Sequence, residues 1–214
     1  MKILVACEYS NTVSKEFRKL GHTVISCDLL PNDEDQTNHY QGDVFDIIND
    51  GFDMMIAHPP CTHLAVSGAA WFKNKINEQK EALEFVRKLM NANIKKICIE
   101  NPVSVISTYI RKPDQIIHPY YYGDPERKRT CLWLKNLPKL YYGDNIVKPQ
   151  IVYHSNGKTD SSWHYKTISL PSEERRKIRS KTFVGIAQAM ASQWGNSNNI
   201  NYNLEQYDLF GRVA

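Results

Sequence analysis

The chain has 214 residues, 42% hydrophobic and 23% charged, with a formal net charge of +4 and a sequence pI of about 8.7. This suits one soluble globular domain, or one with a small insertion, and the mild basicity permits a nucleic-acid or nucleotide partner without demanding one. The run from Met1 to Cys7 is too short for a signal peptide and no apolar run reaches membrane-spanning length, so a cytoplasmic protein with no membrane partner is expected, and the scattered thiols Cys7, Cys27, Cys61, Cys98 and Cys131 fit reduced cysteines better than a disulfide framework.

Ile3 to Ala6 reads as a buried strand, leading through Cys7-Glu8-Tyr9-Ser10-Asn11 into a helix with Val13, Phe17 and Leu20 on one face. Gly21 is placed to end that helix. A second strand runs from His22 to Cys27, with Asp28 at its carboxyl end. Strand, helix, strand opens a doubly wound α/β sheet, in which a carboxylate after the second strand binds a ribose hydroxyl, and Asp28 is the candidate. The first turn lacks Gly-x-Gly-x-x-Gly, so the dinucleotide fingerprint is absent; Asn11 can supply the left-handed conformation instead. Pro31 to Gln41 is polar and loop-like. Gly42 to Ile48 reads as a short edge element, whose Asp43 either faces the same crevice as Asp28 or only makes a turn with Gly42.

Asp53 to Ala57 is an apolar strand stopped by Pro59 and Pro60, which cannot continue it because each lacks an amide donor and has φ fixed. Cys61 then opens a rigid loop at a strand's carboxyl end, the edge where parallel sheets form ligand crevices. A lone cysteine is more often a small buried hydrophobe than a nucleophile, so its neighbours must decide. His58, Cys61 and His63 together suggest zinc ligation, but one thiol and two prolines argue against it and no metal is expected. Ser67 to Ala70 has the composition of a loop that closes over a substrate. From Asn77 to Met90, Ala82, Leu83, Phe85, Val86, Leu89 and Met90 recur at helical spacing, a stripe assigned to core packing. Lys95 to Ile99 is the next strand, ending in Glu100-Asn101-Pro102, which by itself is only a strand terminator. One right-handed crossover between the two parallel strands sets the Cys61 and Glu100 loops side by side.

His118 to Pro125 is an aromatic loop, and Glu126 to Leu134 is a charged run entering a strand, where alternation sends Arg127 and Arg129 to one face. Two guanidinium groups aimed one way suit phosphate or the carbonyl edge of a base; a solvated edge strand is the other reading. Residues 144–181 form a small polar insertion with His154, Trp163, His164 and a basic run from Arg175 to Arg179, for nucleic acid or for a solvated helix face. Thr182 is placed to cap a final helix with Phe183, Val184, Ile186, Ala187, Met190 and Trp194 inward. One α/β domain is therefore expected over 1–143 and 182–195. Residues 196–214 are a C-terminal tail in which Tyr207 to Phe210 carry no assignment.

Taken in order, these motifs resemble the DNA cytosine methyltransferases that act at ring carbon 5, in a small phage-like version, over Lys2 to Gly195. Pro60-Cys61 resembles the family's Pro-Cys nucleophile loop and Glu100-Asn101 its Glu-Asn motif. Glu126-Arg127-Lys128-Arg129 resembles Gln-x-Arg-x-Arg with one residue fewer, and the last helix, with Gly185 and Ala187, resembles the closing motif. The turn from Ala6 to Asn11, with Asp28, resembles the S-adenosylmethionine site. The resemblance implies a doubly wound, mostly parallel, Rossmann-like methyltransferase fold that binds S-adenosylmethionine near Glu8, Tyr9, Ser10, Asn11, Asp28, Asp43 and Pro59. It implies that the Cys61 thiolate adds to carbon 6 of cytosine, that Glu100 holds ring nitrogen 3 and the exocyclic amine, and that Arg129 and Arg127 bind the base carbonyl or support the Cys61 loop. DNA is the implied partner, with its base flipped from the stack. Two departures matter: the interval Leu134 to Lys181 is short where the family carries a large recognition region, and Glu8-Tyr9-Ser10-Asn11 replaces a glycine-rich loop. A free pyrimidine nucleotide, a single-stranded nucleic acid, or a non-catalytic methyltransferase-like binding module are the alternatives these departures leave.

Overall fold

In the computed structural model, which describes residues 1–196, β1 (Lys2–Ala6) has Ile3, Leu4, Val5 and Ala6 wholly buried, as a strand covered on both faces must. It is followed by α1 (Thr12–Lys19), β2 (Thr23–Asp28), β3 (His39–Gln41), α2 (Val44–Ile47), β4 (Met54–Ala57), α3 (Ile76–Met90) and β5 (Lys96–Pro102). Then come α4 (Ile106–Tyr109), β6 (Gln115–Ile117) and β7 (Thr130–Lys135). The main sheet has seven strands in the order β3-β2-β1-β4-β5-β7-β6. β1 to β5 are parallel, and β7 runs antiparallel between β5 and β6. This is the mostly parallel, Rossmann-like α/β sheet expected for a methyltransferase fold.

Side-chain alternation divides the core between the two faces of the sheet. Ile3, Val5, Met54, Ile56 and Cys98 pack with Phe17 of α1 and with Met190 and Trp194 of the last helix. Leu4, Ala6, Met55, Ala57, Ile97 and Ile99 pack with Leu83, Val86 and Leu89 of α3 and with Trp133. Leu20, expected inward, is instead 45% exposed, because α1 stops at Lys19 and Gly21 turns the chain at φ +80°. The segment expected as loop up to Gln41 contains β3, three residues without an apolar pattern that pair with β2. Gly42 to Ile48 is not an edge strand but contains the short helix α2, started by the Asp43 carboxylate, which accepts a hydrogen bond from the Phe45 amide at 3.0 Å.

Ser67 to Ala70 lies in a 3-10 helix spanning Val66–Asn74. The strand expected from Glu126 begins at Thr130, leaving the basic residues in the extended segment before it. Between β7 and the last helix lie the hairpin β8 (Ile151–Tyr153) and β9 (Thr159–Ser161), then α5 (Ser162–Ile168) and α6 (Ser172–Ser180). The last helix, α7 (Val184–Gly195), starts after Phe183 rather than at Thr182 and buries Ile186, Ala187, Met190 and Trp194, while Val184 faces out. The expectations for the tail beyond residue 196, Tyr207 to Phe210 included, lie outside the described residues. No helix among the described residues is long and apolar enough to cross a membrane.

Candidate active site

The carboxyl ends of β4 and β5 bring two of the expected residues together. Ala57 pairs with Ile99 in register, so His58, the first residue after β4, and Glu100, still within β5, stand at the same level. Glu100 is 8% exposed, and its Oε2 lies 2.8 Å from His58 Nδ1. One residue further, the Asn101 side-chain amide donates to the Pro59 carbonyl at 2.8 Å, tying the Pro-Pro segment to β5. Pro59 is thus buried scaffold, and Pro60 is the proline that faces the adjacent cavity. The Cys61 carbonyl accepts from the amides of Leu64 and Ala65, folding the loop into a tight turn. Ala65 and Ser104 form a bridge, and Val105 donates to Leu64, so the cysteine loop is also laced to the chain beyond Glu100.

Cys61 is exposed, yet desolvation by the surrounding loop pushes its thiol pKa up, with the Lys128 charge opposing the rise and Glu100 adding to it. For Glu100, burial pushes the pKa up, but the His58 hydrogen bond and the Lys128 and His58 charges prevail and hold it below the ordinary carboxylate value. Lys128 is therefore the cation that both groups feel. Its ammonium lies 5.4 Å from the centre of the Trp163 ring and 5.8 Å from that of Phe183, and reaches the Arg179 carbonyl at 3.4 Å. Arg127 and Arg129 share a face as expected, but it is the outer one: both are exposed, and Arg127 donates to Thr159 of the hairpin. Lys128, not either arginine, is the cation that shifts Cys61 and Glu100; Arg129 and Arg127 instead help lower the pKa of His118, after burial, to about 4. Counting the arginine motif from Glu126 without a deletion would have put Lys128 at its first arginine position and Thr130 at its second.

Beside the Cys61 loop lies a cavity of about 470 Å³. Asp28 and Asp43 both line it, as expected, together with Cys7 after β1, Cys27 of β2 and Val44 of α2, and Pro60 and His63 from either side of Cys61. Burial raises the Asp28 pKa, against the backbone amides of Leu30 and Leu29 and the imidazoles of His39 and His58. Burial and the nearby Asp28 raise the thiols too, Cys27 to about 12. The far wall is α3, which contributes Glu78, Glu81, Ala82 and Phe85. Assigning the whole apolar stripe of that helix to the core missed this second face, although Glu78, Ala82 and Phe85 recur at spacings of four and three.

The structure places the first turn differently from the cavity wall. Glu8 is 4% exposed and caps α1, accepting from the Val13 amide at 2.6 Å, the Ser14 amide at 3.2 Å and the Ser14 hydroxyl at 2.5 Å. Tyr9 is buried with its hydroxyl on the Lys177 carbonyl, and the Ser10 hydroxyl lies 3.0 Å from that of Thr12. Asn11 has the expected left-handed backbone, φ +58°, and accepts from Arg18 at 2.6 Å. Of this turn, Cys7, also at φ +58°, is the residue that reaches the cavity.

No protein-family model and no curated protein matches this chain. Among solved structures, it is similar to the Entamoeba histolytica methyltransferase EhMeth, at 15% sequence identity and a TM-score of 0.48, over 71% of this chain. The match spans 58% of that protein's length.

Proposed function

We propose that the chain transfers a methyl group from S-adenosylmethionine to carbon 5 of a cytosine in DNA, through a covalent adduct at Cys61. The observation that carries this reading is the convergence of a loop thiol, a buried carboxylate and an ammonium group at adjoining strand ends, next to a cavity. The cavity's acidic and apolar lining suits the cofactor. Four carboxylates line it, Asp28, Asp43, Glu78 and Glu81, with no lysine or arginine among its described lining residues, so it suits a cationic ligand and disfavours a polyphosphate. Asp28 would hold the ribose hydroxyls, and Val44, Ala82 and Phe85 would flank the purine. Bound S-adenosylmethionine supplies an electrophilic methyl group.

Carbon 5 of cytosine is too weak a nucleophile to take that methyl unaided. Cys61 makes it one by adding its thiolate to carbon 6, which builds electron density at carbon 5. Lys128 favours the thiolate against the burial that raises its pKa. Glu100, fixed by His58, holds the ring edge bearing nitrogen 3 and the exocyclic amine. The test is incubation of the protein with 5-fluorocytosine DNA and S-adenosylmethionine. A denaturation-stable adduct with wild type, absent with Cys61→Ser, is expected; an adduct that survives the substitution refutes the reading.

The compact segment between β7 and α7, one short hairpin and two helices, favours a second reading of the substrate: a free pyrimidine nucleotide or a single strand. Methylation of dCMP or dCTP at a rate matching or exceeding duplex DNA would select it.

A further inference from the structure

We infer that one face of the β8–β9 hairpin is a docking surface for single-stranded DNA, holding the nucleotides beside the cytosine by base stacking and phosphate contact; the inference deepens the cytosine reading above and rests on it for the choice of DNA. Tyr153 is 77% exposed, more open than any other large apolar or aromatic side chain among the described residues. It pairs with Thr159, and directly opposed residues of an antiparallel ladder project from the same face. Arg127 donates to the Thr159 hydroxyl at 3.2 Å, so an exposed arginine and an exposed ring share one face of the hairpin. The surface is anchored from the segment before β7: the Gln150 amide donates to the Pro125 carbonyl at 2.8 Å, and the Trp163 amide to the Glu126 carboxylate at 2.8 Å. Arg129 is exposed on the same outer side as Arg127, while Lys128 between them acts on Cys61 and Glu100. A strand held by the two arginines therefore passes beside the segment whose other side serves the reacting groups.

Charge selects the occupant. Residues 126–181 carry thirteen lysines and arginines against five aspartates and glutamates, in a chain whose net charge is only +4, so the excess of positive charge belongs to the part of the chain that contains the hairpin and the rest is acidic. A polyanion is drawn to the first and repelled by the second. The basic run of α6 is largely committed within the protein: Lys177 and Lys181 meet Asp33 at 3.0 and 2.8 Å, and Arg179 donates to the Thr167 hydroxyl at 2.8 Å and the His164 carbonyl at 3.0 Å. Arg127 and Arg129 instead stay exposed. An arginine beside an open aromatic ring fits a strand whose bases are unpaired, the guanidinium taking a phosphate and the ring face taking a base. In a duplex the base faces are covered by their neighbours in the stack, and a free nucleotide has no flanking base to offer. Of the substrates open to the site, this surface favours the single strand.

The experiment measures binding of a labelled oligothymidine by fluorescence anisotropy at several salt concentrations, in wild type, Tyr153→Ala, Tyr153→Leu, Tyr153→Phe and Arg127→Gln. Wild type is expected to bind the single strand about tenfold or more tightly than the matching duplex. Tyr153→Ala is expected to weaken binding about tenfold, the worth of one stacked base, with the slope of log affinity against log salt unchanged. Tyr153→Leu keeps apolar bulk without an aromatic ring and should fall with it, whereas Tyr153→Phe should stay within about twofold of wild type. Arg127→Gln should reduce the magnitude of the salt slope by about 0.7, the contribution of one phosphate contact on a single strand. Thermal melts check the fold, and if Tyr153→Ala melts early the leucine and phenylalanine variants carry the test. Duplex bound as tightly as the single strand, a leucine variant within about twofold of wild type, or an unmoved slope in Arg127→Gln would each overturn the proposal. Tighter binding of oligouridine than of oligothymidine would overturn the choice of DNA. Oligothymidine holds no cytosine, so these affinities stand apart from the chemistry: the expected binding pattern in a protein that forms no adduct with 5-fluorocytosine DNA refutes the cytosine reading and leaves the surface in place.

Discussion

Removing the Glu8 carboxylate separates the two roles open to the first turn, cofactor contact and helix cap. Its three hydrogen bonds all go to groups at the start of α1, where Val13 and Ser14 are wholly buried. Glu8→Ala leaves two backbone amides and a hydroxyl without a partner in a place water does not reach. Each such buried donor costs about 1–3 kcal/mol, and because the three share one acceptor the sum is expected near 4 kcal/mol rather than the full total. In a chain of this size that lowers the melting temperature by roughly 8–16 °C. Glu8→Gln keeps an uncharged acceptor oxygen and should lose less than half as much. Thermal melts of the unliganded protein by circular dichroism give the stability, and calorimetric titration with S-adenosylmethionine well below the melting point gives the affinity. The expected result is a large fall in melting temperature with cofactor affinity within about threefold of wild type. A variant that melts within about 2 °C of wild type but binds the cofactor tenfold more weakly would refute the capping assignment and return Glu8 to the ligand site.

Lys128→Met should slow adduct formation on 5-fluorocytosine substrates by about ten- to a hundredfold, the usual effect of removing a preorganised charge from a reacting centre, while Arg129→Met on a free nucleotide changes it less than threefold; equal losses would refute the assignment of the inward position. Gly185→Ala should destabilise by about 2–3 kcal/mol or more in a thermal melt, because a Cβ there would lie 2.0 Å from the Tyr122 carbonyl oxygen and 2.8 Å from Asp124 Oδ2, and the backbone cannot swing aside as a side chain can. His118, held neutral by burial and by Arg129 and Arg127, has its pKa lowered from 6.5 to about 4. Between those values the unfolded chain binds the proton and the folded chain does not, so the stability it contributes is complete above pH 6.5 and is lost as the pH falls towards 4. His118→Gln should flatten that part of the curve of melting temperature against pH.

The strands β1, β4 and β5 were legible because they are buried on both faces and so appear as unbroken apolar runs bounded by polar or proline residues. Their parallel order then placed Cys61 beside Glu100 without any further information. β3 was not legible: His39, Tyr40 and Gln41 carry no apolar pattern and are strand only because β2 offers them a partner. The α3 helix was read correctly as a helix, but a count of apolar positions cannot tell the side facing the sheet from the side facing a cavity, and Ala82 and Phe85 belong to the second. His58 was undervalued for a related reason. Next to a thiol it reads first as a metal ligand, and its partner lies 42 positions away on another strand.

The basic segment shows why parity alone was insufficient. Alternation in an extended chain fixes that residues 127 and 129 share one side and 128 takes the other, but it does not say which side is inward. The direction of β7 completes the argument. Because β7 runs antiparallel to β5, Thr130 pairs with Pro102, and the residues that precede β7 arrive at the edge where Glu100 and Cys61 stand. A parallel strand in that position would have delivered its last residues there and left 126–129 at the opposite edge of the sheet. The antiparallel direction of β7 is therefore what brings an ammonium group to the edge where Glu100 and Cys61 stand. Trp163 of α5 and Phe183, just before α7, cover the Lys128 ammonium with their ring faces. The short segment between β7 and α7 thus meets Glu100 and Cys61 from behind, by seating the lysine that both of them feel.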